Sequence, residues 1–143
     1  MVTPLERVTE RVMRAGNPED RSVPAPLLSL EEFFEGNDHT GSIGCNLDAE
    51  PEPQEFHELL ASIRSKSEVR DVRIQITCVD DPGREWPFSD TVWIITTAGP
   101  DVVRDWFPER LAPDECWEGW VERAKYEACE VPEGYRAVAA WYD

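Results

Sequence analysis

Val69-Arg70-Asp71-Val72-Arg73-Ile74-Gln75-Ile76-Thr77-Cys78-Val79 is the stretch from which the fold can be read. Val72, Ile74, Ile76 and Cys78 alternate with Arg73, Gln75 and Thr77. Successive residues of a strand point to opposite faces of a sheet, so this period of two predicts a strand with one buried side. Asp80-Asp81-Pro82-Gly83 then turns the chain. Thr91–Thr97 follows as a second strand, β-branched and apolar on both sides, as a doubly covered strand would be. The connection between them is long for a hairpin and carries Trp86, Pro87 and Phe88.

Upstream, Phe56, Leu59, Leu60 and Ile63 recur at the spacing of one helical face, which predicts an amphipathic helix over Pro53–Ser65. Before it, Ile43, Cys45 and Leu47 alternate with Ser42, Gly44 and Asn46, predicting a short strand over Gly41–Leu47. Downstream, Pro100–Phe107 reads as a helix that Pro108 ends. Pro113–Cys129 reads as helical along Cys116, Trp117, Trp120, Val121, Ala124 and Ala128, with Gly119 inside the stripe. Tyr135–Tyr142 is the last strand. The resulting order over residues 41–142 is β-α-β-β-α-β. This α+β arrangement resembles the ferredoxin-like superfold, which hosts many unrelated functions.

Residues 1–40 form a helical extension within a single domain spanning 1–143. Thr3-Pro4-Leu5-Glu6 and Ser29-Leu30-Glu31-Glu32 each read as a capping box that opens a helix. Between them, Asn17–Pro26 holds three prolines and reads as an extended linker. This extension is expected to pack on or beside the core.

Charge is the second strong signal, with 30 acids against 14 bases for a net charge of −16. Residues 1–30 balance four acids with four arginines, so the excess lies beyond them. From Ser22 to Ile63 there is no Lys or Arg, while nine acids appear, from Glu31 to Glu58. Such a surface repels phosphate backbones, which argues against nucleic-acid binding. It suits a basic protein partner, a cation or simple solubility. No run approaches the roughly 20 apolar residues of a membrane span, and the first residues show no secretory signal pattern. A cytoplasmic location follows as the expectation, with Cys45, Cys78, Cys116 and Cys129 reduced and buried.

Two candidate surfaces emerge. One is the polar face of the sheet, carrying Asn46, Arg73, Gln75, Trp93 and Trp141, which suits a small ligand or a second copy of the chain. The other is a set of loop residues, Trp86, Phe88, Trp117, Glu118 and Trp120, where tryptophan would anchor a partner. His39, Cys45, His57, Asp38 and Asp48 show no zinc-site spacing, and no metal or other cofactor is expected. Gly41-Ser42-Ile43-Gly44 lacks the pattern of a phosphate loop, and no nucleophile motif occurs. The expectation is therefore a non-enzymatic acidic interaction protein, such as an inhibitor, immunity-type protein or regulatory subunit. The alternative is a ligand-binding or enzymatic domain that uses the open sheet face.

Overall fold

The computed structural model describes residues 1–121 and 125–143. Its class is α+β. Five strands form one antiparallel sheet, with helices packed on one face. In chain order the elements are α1 (Pro4–Val12), β1 (Leu27–Leu28), α2 (Leu30–Phe34), α3 (Pro53–Arg64), β2 (Val69–Gln75), β3 (Thr91–Thr96), α4 (Pro100–Asp105), a 3-10 turn (Glu109–Leu111), β4 (Glu115–Glu118) and β5 (Arg136–Trp141). The strands lie side by side in the order β1-β2-β3-β5-β4.

The alternation in β2 places Val72 and Ile74 on the helix-covered face and Arg73 and Gln75 on the other. Val92, Ile94, Val138 and Ala140 line the helix-covered face beside them. Against these pack Phe33 and Phe34 of α2, Phe56, Leu60 and Ile63 of α3, Val103 of α4, and Val8 and Val12 of α1. β3 is the middle strand and is buried along its whole length, as its two-sided apolar pattern predicts.

The order is not the expected β-α-β-β-α-β, and two segments account for the difference. Gly41–Leu47 does not enter the sheet. It makes one isolated bridge, Ile43 with Ser89, and otherwise turns. Gly41 and Gly44 sit at φ +93° and +66°, a left-handed conformation that no strand uses. Cys45, expected inward, is exposed. The place beside β2 goes instead to β1, from the N-terminal extension, where Leu27 pairs with Gln75 and Leu28 with Ile74. The extension is therefore part of the sheet and of the core.

The second difference is Glu115–Glu118, which forms edge strand β4 rather than a helix. Gly119 at φ +99° then redirects the chain. Ala124 of the expected stripe, and Glu122 beside it, lie outside the described residues. Residues on either side of them cover the second sheet face. Trp120, Tyr126, Cys129, Val131 and Tyr135 pack against Leu27, Trp93, Ile95, Ala137 and Ala139.

Helix ends follow their sequence signals. Ser29 and Glu32 form the reciprocal capping box of α2. Thr3 caps α1 by accepting from the Glu6 N–H at 3.1 Å, while the Glu6 carboxylate takes the Thr3 hydroxyl rather than the backbone N–H expected of a full box. Gly44 is a close-approach site. A methyl there would meet the Phe56 ring at 2.8 Å and Leu47 Cδ1 at 2.9 Å. With the φ strain added, Gly44→Ala is expected to cost about 2 kcal/mol, seen as a lower denaturant midpoint at unchanged slope.

Candidate functional site

A cleft of about 380 Å³ opens where two loops meet beyond the end of β2. His39, Thr40, Gly41, Ser42 and Cys45 form one side, and Asp80, Glu85, Trp86 and Phe88 the other. None of these nine is Lys or Arg.

Both loops are tied down. Asn37 Nδ2 donates to Ser42 Oγ at 3.1 Å, and its own Oδ1 accepts from the His39 N–H at 2.9 Å. The Ser89 N–H donates to the Ser42 carbonyl at 2.8 Å, joining one loop to the other. Phe88 extends the sheet by one bridge to Cys78. In the Asp80–Phe88 loop the Asp81 carbonyl accepts from the N–H groups of Arg84 and Glu85. Trp86 is buried, and its indole N–H donates to the Phe33 carbonyl at 2.9 Å. Its ring lies 5.7 Å from that of His39, tilted by 35°. His39 Nδ1 is itself buried and stands 3.1 Å from Asp38 Oδ1 without the alignment of a hydrogen bond.

Five carboxylates gather at or beside this cleft. Asp80 and Glu85 line it. Asp38 adjoins His39, and Glu52 accepts from the Thr40 hydroxyl at 3.0 Å. Glu19 brings a carboxylate oxygen within 4.8 Å of the ligating atoms of Asp80 and Cys78. Those last three are the groups best placed to share a metal ion, but burial and the nearby Asp80 push the Cys78 thiol up to about 11, so it holds its proton at neutral pH. Among the described residues, no Lys or Arg pairs with any of the five carboxylates.

A larger groove of about 640 Å³ lies between α1 and α2, and two ion pairs cross it. Arg11 meets Glu32 at 2.8 Å and Arg7 meets Glu35 at 3.6 Å. Glu31 is held by Arg64 at 2.8 Å, and Glu55 by Arg110. The cation-free run from Ser22 to Ile63 is thus neutralised at Glu31, Glu32, Glu35 and Glu55 by arginines from elsewhere in the chain. Of its other five acids, Asp38 and Glu52 lie at the cleft.

The predicted site residues are dispersed. Asn46 is off the sheet, in an exposed turn, where its side-chain amide donates to the Asp143 carbonyl at 2.7 Å. Arg73, Gln75, Trp93 and Trp141 do share a face, but that face is occupied. Trp93 is fully buried and its indole N–H donates to Gln75 Oε1 at 2.8 Å. Arg73 is paired with Asp71 at 2.7 Å. Trp141 is half-buried at the end of β5. Of the loop residues, Trp86 and Phe88 line the cleft, Trp86 as a buried wall and Phe88 half-buried. Trp117 and Trp120 instead pack on Trp93, at ring separations of 6.2 and 4.3 Å. Glu118 is exposed and paired with Arg136 at 2.9 Å. Reading the sequence missed Asp80, Glu85, Thr40 and Ser42 as members of one site. The signal that points to them is the length of the connection after Cys78, too long for a hairpin and weighted with aromatics.

Fold and cleft together define a small acidic α+β protein whose five-stranded antiparallel sheet is covered on both faces, with a carboxylate-rimmed aromatic cleft at one end. The chain belongs to the Uncharacterized protein YfbO family, whose model matches residues 3–140. It is 46% identical over 142 residues to Uncharacterized protein YfbO of Escherichia coli (strain K12), across 99% of this chain and 100% of that protein. No solved structure matches it. Among the described residues, no helix is long and apolar enough to cross a membrane.

Proposed function

We propose that this protein is a non-enzymatic acidic interaction protein of the cytoplasm, an inhibitor, immunity-type protein or regulatory subunit that engages a basic protein partner through the rim of the cleft. One observation carries the reading: Glu19, Asp38, Glu52, Asp80 and Glu85 gather there with no Lys or Arg paired to them among the described residues. Among the described residues other exposed acids, such as Asp101, Asp105 and Glu109, also lack an arginine partner; the rim differs in lying around a concave surface. Unpaired charge of one sign over a concave, partly apolar surface raises the local concentration of oppositely charged partners and speeds their encounter. Burial pushes the thiols of Cys78, Cys116 and Cys129 up, away from the reactive thiolate, while Cys45 is exposed at the cleft.

A charge-matched comparison tests the reading. One variant carries Gln or Asn at Glu19, Asp38, Glu52, Asp80 and Glu85. The control carries them at five exposed acids remote in sequence, Asp101, Asp105, Glu109, Glu115 and Glu133. Binding of a nine-residue peptide of alternating lysine and glycine is measured at low and physiological salt. The rim variant is expected to bind at least tenfold more weakly, about 1.4 kcal/mol, while the control stays close to the parent. Equal losses in the two would reduce the effect to net charge and remove the reading.

A further inference from the structure

We infer that the cleft receives the side chain of one arginine from the basic partner. This rests on the reading above and goes further, because it names the group that anchors the contact. Asp80 and Glu85 supply carboxylates, and neither Lys nor Arg lines the space. Paired N–H donors of a guanidinium match carboxylate oxygens in a fixed fork, which adds direction to the attraction.

The walls point the same way. Trp86, His39 and Phe88 line the cleft, the rings of the first two 5.7 Å apart and tilted by 35°. A guanidinium is planar, weakly hydrated and stacks on aromatic faces. A lysine ammonium is compact and strongly hydrated, so entering a cleft walled by rings costs it more water and returns fewer directed contacts. The carboxylates alone would attract either cation; the aromatic walls select between them.

The site is also built before the ligand arrives. The Trp86 indole is fixed by the Phe33 carbonyl at 2.9 Å, and the two loops are joined by the Ser89 to Ser42 hydrogen bond at 2.8 Å. Walls already ordered in the free protein remove part of the entropy cost of binding.

The experiment titrates the full-length, isotope-labelled chain with three nine-residue peptides, followed by NMR. Each alternates lysine with glycine, and they differ only at the centre, which is arginine, lysine or citrulline. Citrulline keeps the shape of arginine without its charge. The arginine peptide is expected to bind at least fivefold more tightly than the lysine peptide and tenfold more tightly than the citrulline peptide. It is also expected to shift the Trp86 indole N–H and His39 ring signals. In D80N/E85Q, whose substitutions fall on exposed side chains, that preference should vanish. Equal, salt-sensitive binding of all three peptides would overturn the arginine anchor and leave the acidic-surface reading standing. Failure of the parent protein to bind any of them at low salt would remove that reading and the anchor with it.

Discussion

Trp93→Ala is expected to lower stability by about 4 kcal/mol, a drop in melting temperature of more than about 10 °C. The residue is fully buried in the middle strand. Its ring packs on Trp120 at 4.3 Å, Tyr126 at 5.6 Å and Trp117 at 6.2 Å. Truncation to a methyl removes a fully buried indole from this cluster and leaves Gln75 Oε1 without the donor it now accepts from. Trp120, Tyr126, Cys129, Val131 and Tyr135 come from between β4 and β5, where the described residues have little regular structure of their own, so they are held chiefly by what they bury. The variant should therefore lose near-ultraviolet circular dichroism and amide protection at Ala25 and Glu127 before the helix-covered face opens. A loss below about 1 kcal/mol would show that this face contributes little to the fold.

Arg11→Ala carries the second large effect, about 3 kcal/mol. Arg11 ties three segments together. Its Nη1 and Nη2 donate to Glu127 at 3.0 and 2.8 Å, and its Nε donates to Glu32 at 2.8 Å. The same Glu127 accepts from the Leu27 N–H at 2.8 Å, closing the outer edge of β1. One residue away, Ala25 bridges Tyr126 in parallel register. Removing the guanidinium leaves Glu32 and Glu127 without the cation they share and frees the covering chain where it reaches the sheet edge.

The pH dependence separates this network from simple packing. Burial pushes the Glu127 carboxyl up, but hydrogen bonds from Arg11 and the Leu27 N–H outweigh it and hold the group below its usual value of 4.5. At Glu32 burial is likewise outweighed, by the Ser29 N–H and Arg11. The Glu127 hydrogen bond raises Arg11 further, so it stays charged throughout. Carboxyls depressed on folding contribute fully above their unfolded pKa, and that contribution is lost as pH falls through it toward the folded value. Stability should decline below about pH 5, and the decline should be shallower in Arg11→Ala. Identical acid profiles for the two proteins would show that the network does not couple protonation to folding.

How much of this could be read in advance depended on the range of the signal. The amphipathic face of Phe56, Leu60 and Ile63, the alternation around Ile74 and the doubly apolar run of β3 were legible, because each is a periodicity within one segment. Gly41–Leu47 shows the opposite case. Its alternation is real, but Gly41 and Gly44 take left-handed conformations and Phe56 packs directly on Gly44, so local pattern yields to tertiary packing. Leu27-Leu28 is too short to show any period, and it becomes a strand only because the edge of β2 accepts it. Of the candidate site, Trp86 and Phe88 stood out as large aromatics in a long loop. Asp80 and Glu85 did not, because thirty acids in one chain give no sign of which will lie together.

Composition and period were enough to establish an acidic α+β chain with its central strands, its main helices and the residues that face the core. Hydrophobic burial acts on each segment's own pattern, so those properties are written locally. The tertiary structure alone decided which segments became the sheet edges, that the polar face of β2 would be covered, and where the unpaired carboxylates would gather. Each of those outcomes depends on contacts between residues far apart in the chain, such as Arg11 with Glu127 and Thr40 with Glu52.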